Sequence, residues 1–247
     1  MEVHAHAHTS RKKWTHYFWE FLMLFLAVTL GFFVENQREH YIEGKREKEF
    51  MRSMVDDLIR DTAEINYWLN RLERNIERID SAIFLYAVHK DSKDVEIAEL
   101  GKMGTQGTVS INITFTDRTS SQLKNSGGMR LIRNKPVADS IIEYWNRIEQ
   151  YRLIHNRIEN YRIDARKLGF KIFAFYPDLY VRSYIDSTFL VDSSGILINS
   201  PSLLGEYVNN LWVLGITSRT QFLTNLKRLA GTANNLIAII KKEYRLE

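Results

Sequence analysis

The stretch MRSMVDDLIRDTAEINYWLNRLERNIERIDSAIFLY, residues 51–86, decides how this chain folds. Apolar or neutral residues recur in alternating steps of four and three: Met51, Val55, Leu58, Thr62, Ile65, Leu69, Leu72, Ile76, Ile79, Ile83 and Tyr86. A seam of that period, kept for about five heptads and flanked by charge, predicts a long helix with one narrow buried face. No glycine falls between Lys45 and Leu100, and the three prolines (Pro136, Pro177, Pro201) all come later. Without a breaker the helix is expected over about 45–90.

A matching seam follows Pro136: Val137, Ile141, Tyr144, Ile148, Tyr151, His155, Ile158, Tyr161 or Arg162, Ala165, Leu168 and Ile172. Asn134 suits its cap, with proline in the first turn where its missing N–H costs nothing. Pro177 stops it, giving a second helix over about 135–176. The equal seams suggest two antiparallel partners. A third helix is expected over 218–244, with Phe222, Leu226, Leu229, Ala233, Leu236 and Ile240 on one face. The fold class is therefore mainly α: an elongated antiparallel helical bundle or coiled coil spanning 35–247.

Between the first two helices, KMGTQGTVSINITFTDRTSSQLKNSGGMRLI (102–132) reads as looser. Val109, Ile111 and Ile113 alternate as a strand does, and Thr116 or Asp117 fits the cap of a short helix ending at Gly127-Gly128. STFLVDSSGILIN (187–199) reads as a β-hairpin over 188–198, turning at Asp192–Gly195. These pieces are expected to form a small cap at one end of the bundle.

Upstream of the first seam lies a different composition. From Tyr17 to Val34 the chain is apolar apart from Glu20. As a helix, those residues span roughly 27 Å, the thickness of a hydrocarbon core. Trp14, Tyr17 and Trp19 cluster at one end as interfacial aromatics do, preceded by Arg11, Lys12 and Lys13. Bulky residues where a cleavage site would stand argue against a signal peptide, so 17–34 reads as a transmembrane signal anchor behind a short basic tail, 1–16. Glu20 either snorkels or pairs with His16, four residues earlier. Ala27 and Gly31 form a small-xxx-small pair, and with Glu20 they mark a face suited to association of membrane helices. The tail sets three basic residues against Glu2, which favours a cytoplasmic N-terminus in a bacterial inner membrane and a periplasmic bundle.

The remaining composition is mostly exclusionary. There is no cysteine, so disulfides and thiolate chemistry are ruled out. The 34 basic residues interleave with 30 acidic ones, as in EGKREKEFMR (43–52), which argues for ion-paired helix faces and against a nucleic-acid surface. His4, His6 and His8 are weak metal candidates, lacking a fixed geometry. NSGGMRLIRN (125–134) lacks phosphate-loop spacing, and no triad or HExxH pattern occurs. His155 reads as a hydrogen-bonded packing residue. Arg147, Arg152, Arg157 and Arg162, interleaved with Glu143, Glu149 and Glu159, read as a salt-bridged exposed face. The aromatic run GFKIFAFYPDLYVRSY (169–184) suits core packing or a subunit contact. No catalytic residue and no cofactor are expected.

The blocks HAHAHTSRKKWTHYFWEFLMLFLAVTLGFFVENQREH (4–40), EKEFMRSMVDDLIRDT (47–62) and RTSSQLKNSGGMRLIRN (118–134), the last leading into IIEYW (141–145), together resemble one family. It is a family of uncharacterised single-pass membrane proteins of Bacteroidota, defined as a domain of unknown function. The resemblance spans most of the chain. KKWxxYFWEFxMLFLAV (12–28) is its most specific part. It implies a membrane-anchored protein and carries over no reaction or ligand.

The expected function is thus a non-enzymatic interaction or scaffold protein, homo-oligomeric, with the lipid bilayer and other envelope proteins as partners and no nucleic acid. Two alternatives stand beside it. One is a ligand-sensing receptor domain signalling through a partner protein. The other is an oligomeric ion- or proton-conducting component built on Glu20.

Overall fold

The computed structural model describes residues 14–89, 95–125, 127–173 and 201–246. Six α-helices order them: α1 Trp14–His89, α2 Val95–Gly107, α3 Arg118–Asn125, α4 Lys135–Ile172, α5 Pro201–Thr217 and α6 Thr224–Tyr244. A 3-10 turn, Gly128–Leu131, precedes α4, and a π-helical turn, Ser218–Leu223, joins α5 to α6. The chain divides into two compact units, Met1–Phe50 and Met51–Glu247.

In the second unit most positions of both seams are buried as their spacing predicts, with Leu69, Ile83, Tyr86, His155 and Leu168 half-buried. Met51, Val55, Leu58, Ile65, Leu72, Ile76 and Ile79 of α1 are buried, as are Val137, Ile141, Tyr144, Ile148, Tyr151, Ile158, Ala165 and Ile172 of α4. Each fully buried aliphatic side chain contributes roughly 1.5–3 kcal/mol. Thr62, polar on the α1 seam, satisfies its hydroxyl by donating to the Leu58 carbonyl at 2.5 Å. Asn134 caps α4, its side chain accepting from the Val137 N–H at 3.2 Å. At the other end Phe173 leaves the helix as its N–H reaches the Gly169 carbonyl.

The pairing of the helices departs from expectation. α5 and α6 run antiparallel to α4: Tyr207 lies against Gly169, Gln221 accepts from Arg157, and Glu243 accepts from Asn134. They also run antiparallel to α1, with Gly205 beside Tyr86, Gly215 beside Ile79 and Lys227 paired to Glu73 at 2.8 Å. Hence α1 and α4 are parallel, not the antiparallel pair that their equal seams suggested.

The connection between them supplies the missing antiparallel member. α2 starts where α1 ends: Gly101 packs on Phe173, Gly104 on Tyr207 and Leu211, and Gly107 on Ile79. Residues 109–117 then run extended back along the bundle, and α3 starts beside Asp57 and ends beside Trp145. The unit is an up-down-up-down bundle of four members, the second of them helix, extended segment and helix. These pieces therefore traverse the bundle and do not cap one end.

The alternation at Val109, Ile111 and Ile113 gives an extended backbone with Ile111 fully buried, yet it joins no ladder. Among the described residues there is no β-strand, and the expected hairpin at 188–198 lies outside them. The expected third helix at 218–244 begins earlier, at Pro201, and passes through the π turn on the way.

Candidate functional site

In the first unit, residues 17–34 lie within α1, and apart from the half-buried Leu22 every side chain in that run is exposed. The helix is long and apolar enough to cross a membrane. Trp14, Tyr17 and Trp19 are exposed at its start, while Arg11, Lys12 and Lys13 lie outside the described residues, as do His4, His6 and His8. Glu20 pairs with His16 at 3.0 Å, the closer of the two local roles expected for it. His16, Trp19, Glu20, Met23, Leu24 and Ala27 form one shallow open face. A Cβ added at Gly31 would meet nothing within 4 Å, so that position presents bare backbone to its surroundings. Beyond the apolar run Glu35 takes a two-pronged contact from Arg38, at 2.7 and 3.0 Å. That guanidinium holds the carboxyl below its usual range.

In the second unit, the densest polar chemistry lies where the extended segment meets α1 and α4. Asp57 and Asp61 sit one turn apart beside the seam residues Leu58 and Thr62, and both are buried. Asp57 accepts from the Thr119 N–H at 3.1 Å, from the Thr119 hydroxyl at 2.5 Å and from Arg118 at 2.9 Å. Thr119 is the second residue of α3, so a carboxylate from another helix caps α3 and meets the positive end of its dipole. Asp61 accepts from the Thr116 N–H at 2.7 Å and from the Tyr144 hydroxyl at 2.6 Å. Burial pushes Asp61 above the ordinary carboxylate range, with those two donors pulling the other way. The Tyr144 hydroxyl is pushed upward by burial and by the neighbouring Asp61 charge.

Toward the other end, Asn75 donates to the Val109 carbonyl at 2.9 Å, Ser110 donates to Glu159 at 3.0 Å, and Tyr151 accepts from the Ile113 N–H at 3.4 Å. Tyr151 stacks on Phe222 and His155 and meets Phe115 edge-on, so this cluster joins the extended segment, α4 and the π turn. Burial raises the Tyr151 hydroxyl to about 12. His155 is a packing residue, half-buried against these rings. Its Nδ1 makes no hydrogen bond within the described residues, and burial lowers its pKa.

The arginine row divides. Arg147 and Arg152 pair with Glu143 and Glu149 on the surface and Arg157 meets Gln221, as a solvated face should. Arg162 is instead fully buried, with Glu159 as its carboxylate partner, so the seam position left open between Tyr161 and Arg162 is filled by the arginine. Its stem packs while its head is neutralised. Among the described residues no group of three acidic or imidazole side chains gathers as metal ligands.

The sequence reading missed Asp57, Asp61 and Asn75 because it followed the seam alone. The available signal was a carboxylate pair at i and i+4 directly beside seam positions, combined with the hydroxyl-rich FTDRTSS (115–121) needing partners for its free N–H groups. Comparison of the chain with protein-family models, with curated proteins and with solved structures finds no match.

Proposed function

We propose that the chain is a membrane-anchored interaction or scaffold protein, held in a bacterial inner membrane by residues 17–34 and presenting its helical bundle on the periplasmic side. The observation that carries the reading is the exposure of that apolar run. In water, its aromatic and aliphatic side chains would form a patch far larger than soluble monomers show. The resemblance of residues 4–40, 47–62 and 118–134 to single-pass membrane proteins supports the same anchor. In the bundle, Asp57, Asp61 and Tyr144 direct their polar groups to internal contacts and Arg162 pairs with Glu159, which favours a structural over a catalytic use of them. Homo-oligomerisation through the face bearing Glu20, Ala27 and Gly31 belongs to this proposal.

The cysteine-free chain offers a clean test. Asn234 is exposed on α6, so Asn234→Cys provides one thiol for a membrane-impermeant maleimide. Labelling in intact cells is the expected result. Labelling only after lysis, with the protein folded, would place the bundle in the cytoplasm and overturn the orientation. Recovery of the protein in the soluble fraction would overturn the anchor.

A further inference from the structure

We propose that residues 108–125 form a releasable strap, which swings out of the bundle as a unit about Gly107 and Gly127 while α1, α4, α5 and α6 stay packed. Three independent features place the hinge points and the weak seam there, and none depends on the membrane reading.

The first is how the segment is held. Between residues 109 and 116 no backbone group joins a helix or a strand ladder; the Asp117 carbonyl takes the first helical bond of α3, from the Ser121 N–H at 2.7 Å. Its anchors are side chains of other elements: Asn75 at Val109, Tyr151 at Ile113, Asp61 at Thr116, and Asp57 at the start of α3. Regular helices lose many hydrogen bonds together when they open, whereas this segment has only a few separate latches to release.

The second is its apolar content. From 109 to 117 only Ile111 is fully buried, and α3 adds Leu123. The neighbouring helices bury a side chain every third or fourth residue. Packing beneath the segment is also incomplete, for a small cavity of about 20 Å³ lies among Met54, Asp61, Thr116, Ser120, Tyr144 and Ile148. The dispersion contacts given up on lifting the segment are chiefly those of Ile111, Phe115 and Leu123. Lifting also returns two buried carboxylates to water.

The third is its boundaries. Gly107 closes α2, and Gly127 has φ +66°, a left-handed conformation that glycine adopts without strain. Hinges fall at such element-terminal positions. Opening between them uncovers Met54 and Leu58 of α1 together with Ile148 and Tyr151 of α4, an apolar strip between two parallel helices.

Hydrogen exchange on the full-length protein in detergent micelles tests this. The amides of Ile113, Thr116 and Thr119 should exchange with one common opening, at least about tenfold faster than the α4 amides from Tyr144 to Tyr151. Asp57→Ala removes the acceptor at Thr119 and should speed all three strap amides by a further tenfold, roughly, leaving α4 unchanged. Strap amides exchanging at the α4 rate would mean that the segment opens only by global unfolding, and the proposal fails. It also fails if the three amides exchange at unrelated rates. The wild-type pattern decides both points even where the variant does not fold.

Discussion

The Tyr144 hydroxyl donates to the Asp61 carboxylate at 2.6 Å, joining two parallel helices across 83 positions of sequence. The same carboxylate takes the Thr116 N–H at 2.7 Å. One buried side chain thus holds three of the four bundle members in register. Its replacement separates charge from hydrogen bonding. Asparagine keeps an acceptor for Thr116, and its amide can donate to a Tyr144 hydroxyl that reverses its role. Alanine leaves the Thr116 N–H and Tyr144 hydroxyl without their partner. We expect Asp61→Ala to cost about 1–3 kcal/mol and Asp61→Asn clearly less, read from urea midpoints of the detergent-solubilised chain. Equal losses would show that charge, and not hydrogen bonding, holds the contact.

The same pair carries a pH signature. Burial raises Asp61 above its unfolded value of about 4. Its protonated form therefore adds stability that is complete below that value and is lost as pH rises through the raised folded pKa. The stability of wild type relative to Asp61→Asn should fall as pH rises above about 4, through the raised folded pKa, and then level off. A difference that grows with pH over that window would contradict the burial argument.

The glycines of α2 make a second packing test. A Cβ at Gly107 would stand 2.6 Å from Ile79 Cγ1 and 3.0 Å from the Asn75 carbonyl oxygen, and one at Gly104 would collide with the Tyr207 hydroxyl. Overpacking of this kind costs about 1–3 kcal/mol, against a gain of roughly 1 kcal/mol in helix propensity. Gly107→Ala should lower the denaturation midpoint, because a backbone carbonyl has no room to yield. Gly231→Ala, on the open face of α6, should raise it or leave it unchanged. The two variants moving together would show that α2 is loosely seated.

Glu159 and Glu149 each pair with an arginine three residues away, but only Arg162 is buried. Removing Glu159 strands a buried charge, which costs about 3–5 kcal/mol, while Glu149→Ala changes an exposed pair worth under about 1 kcal/mol. Comparison of the two melting temperatures checks the contrast. Similar shifts would mean that water reaches Arg162.

In the first unit, Gly31→Leu places a bulky side chain where nothing lies within 4 Å, and Glu20→Leu removes the partner of His16. If the face bearing Glu20, Ala27 and Gly31 joins helices, each change should lower the oligomer mass measured by light scattering in mild detergent. Unchanged masses in both variants would reject that face as the contact.

Much of this architecture was legible in the sequence, because helix formation and membrane-length hydrophobicity are local properties. The steps of four and three from Met51 to Tyr86 and from Val137 to Ile172 identified the buried stripes, since residues at that spacing share a helix face whatever lies opposite. Asn134 and Pro136 marked where α4 begins for the same local reason. The exposed run at 17–34 needed only length and composition.

The tertiary structure alone decided direction and the polar interior. A heptad stripe looks the same to a parallel neighbour as to an antiparallel one, so α1 and α4 could not be oriented from their seams. That choice followed from residues 95–125 crossing the bundle as its second member. Nothing local in the sequence marks Asp57 and Asp61 as buried, because their donors, Thr119 and Thr116, lie 62 and 55 positions away. Whether a carboxylate is solvated or buried depends on what the chain lays over it, and that is settled by packing rather than by period.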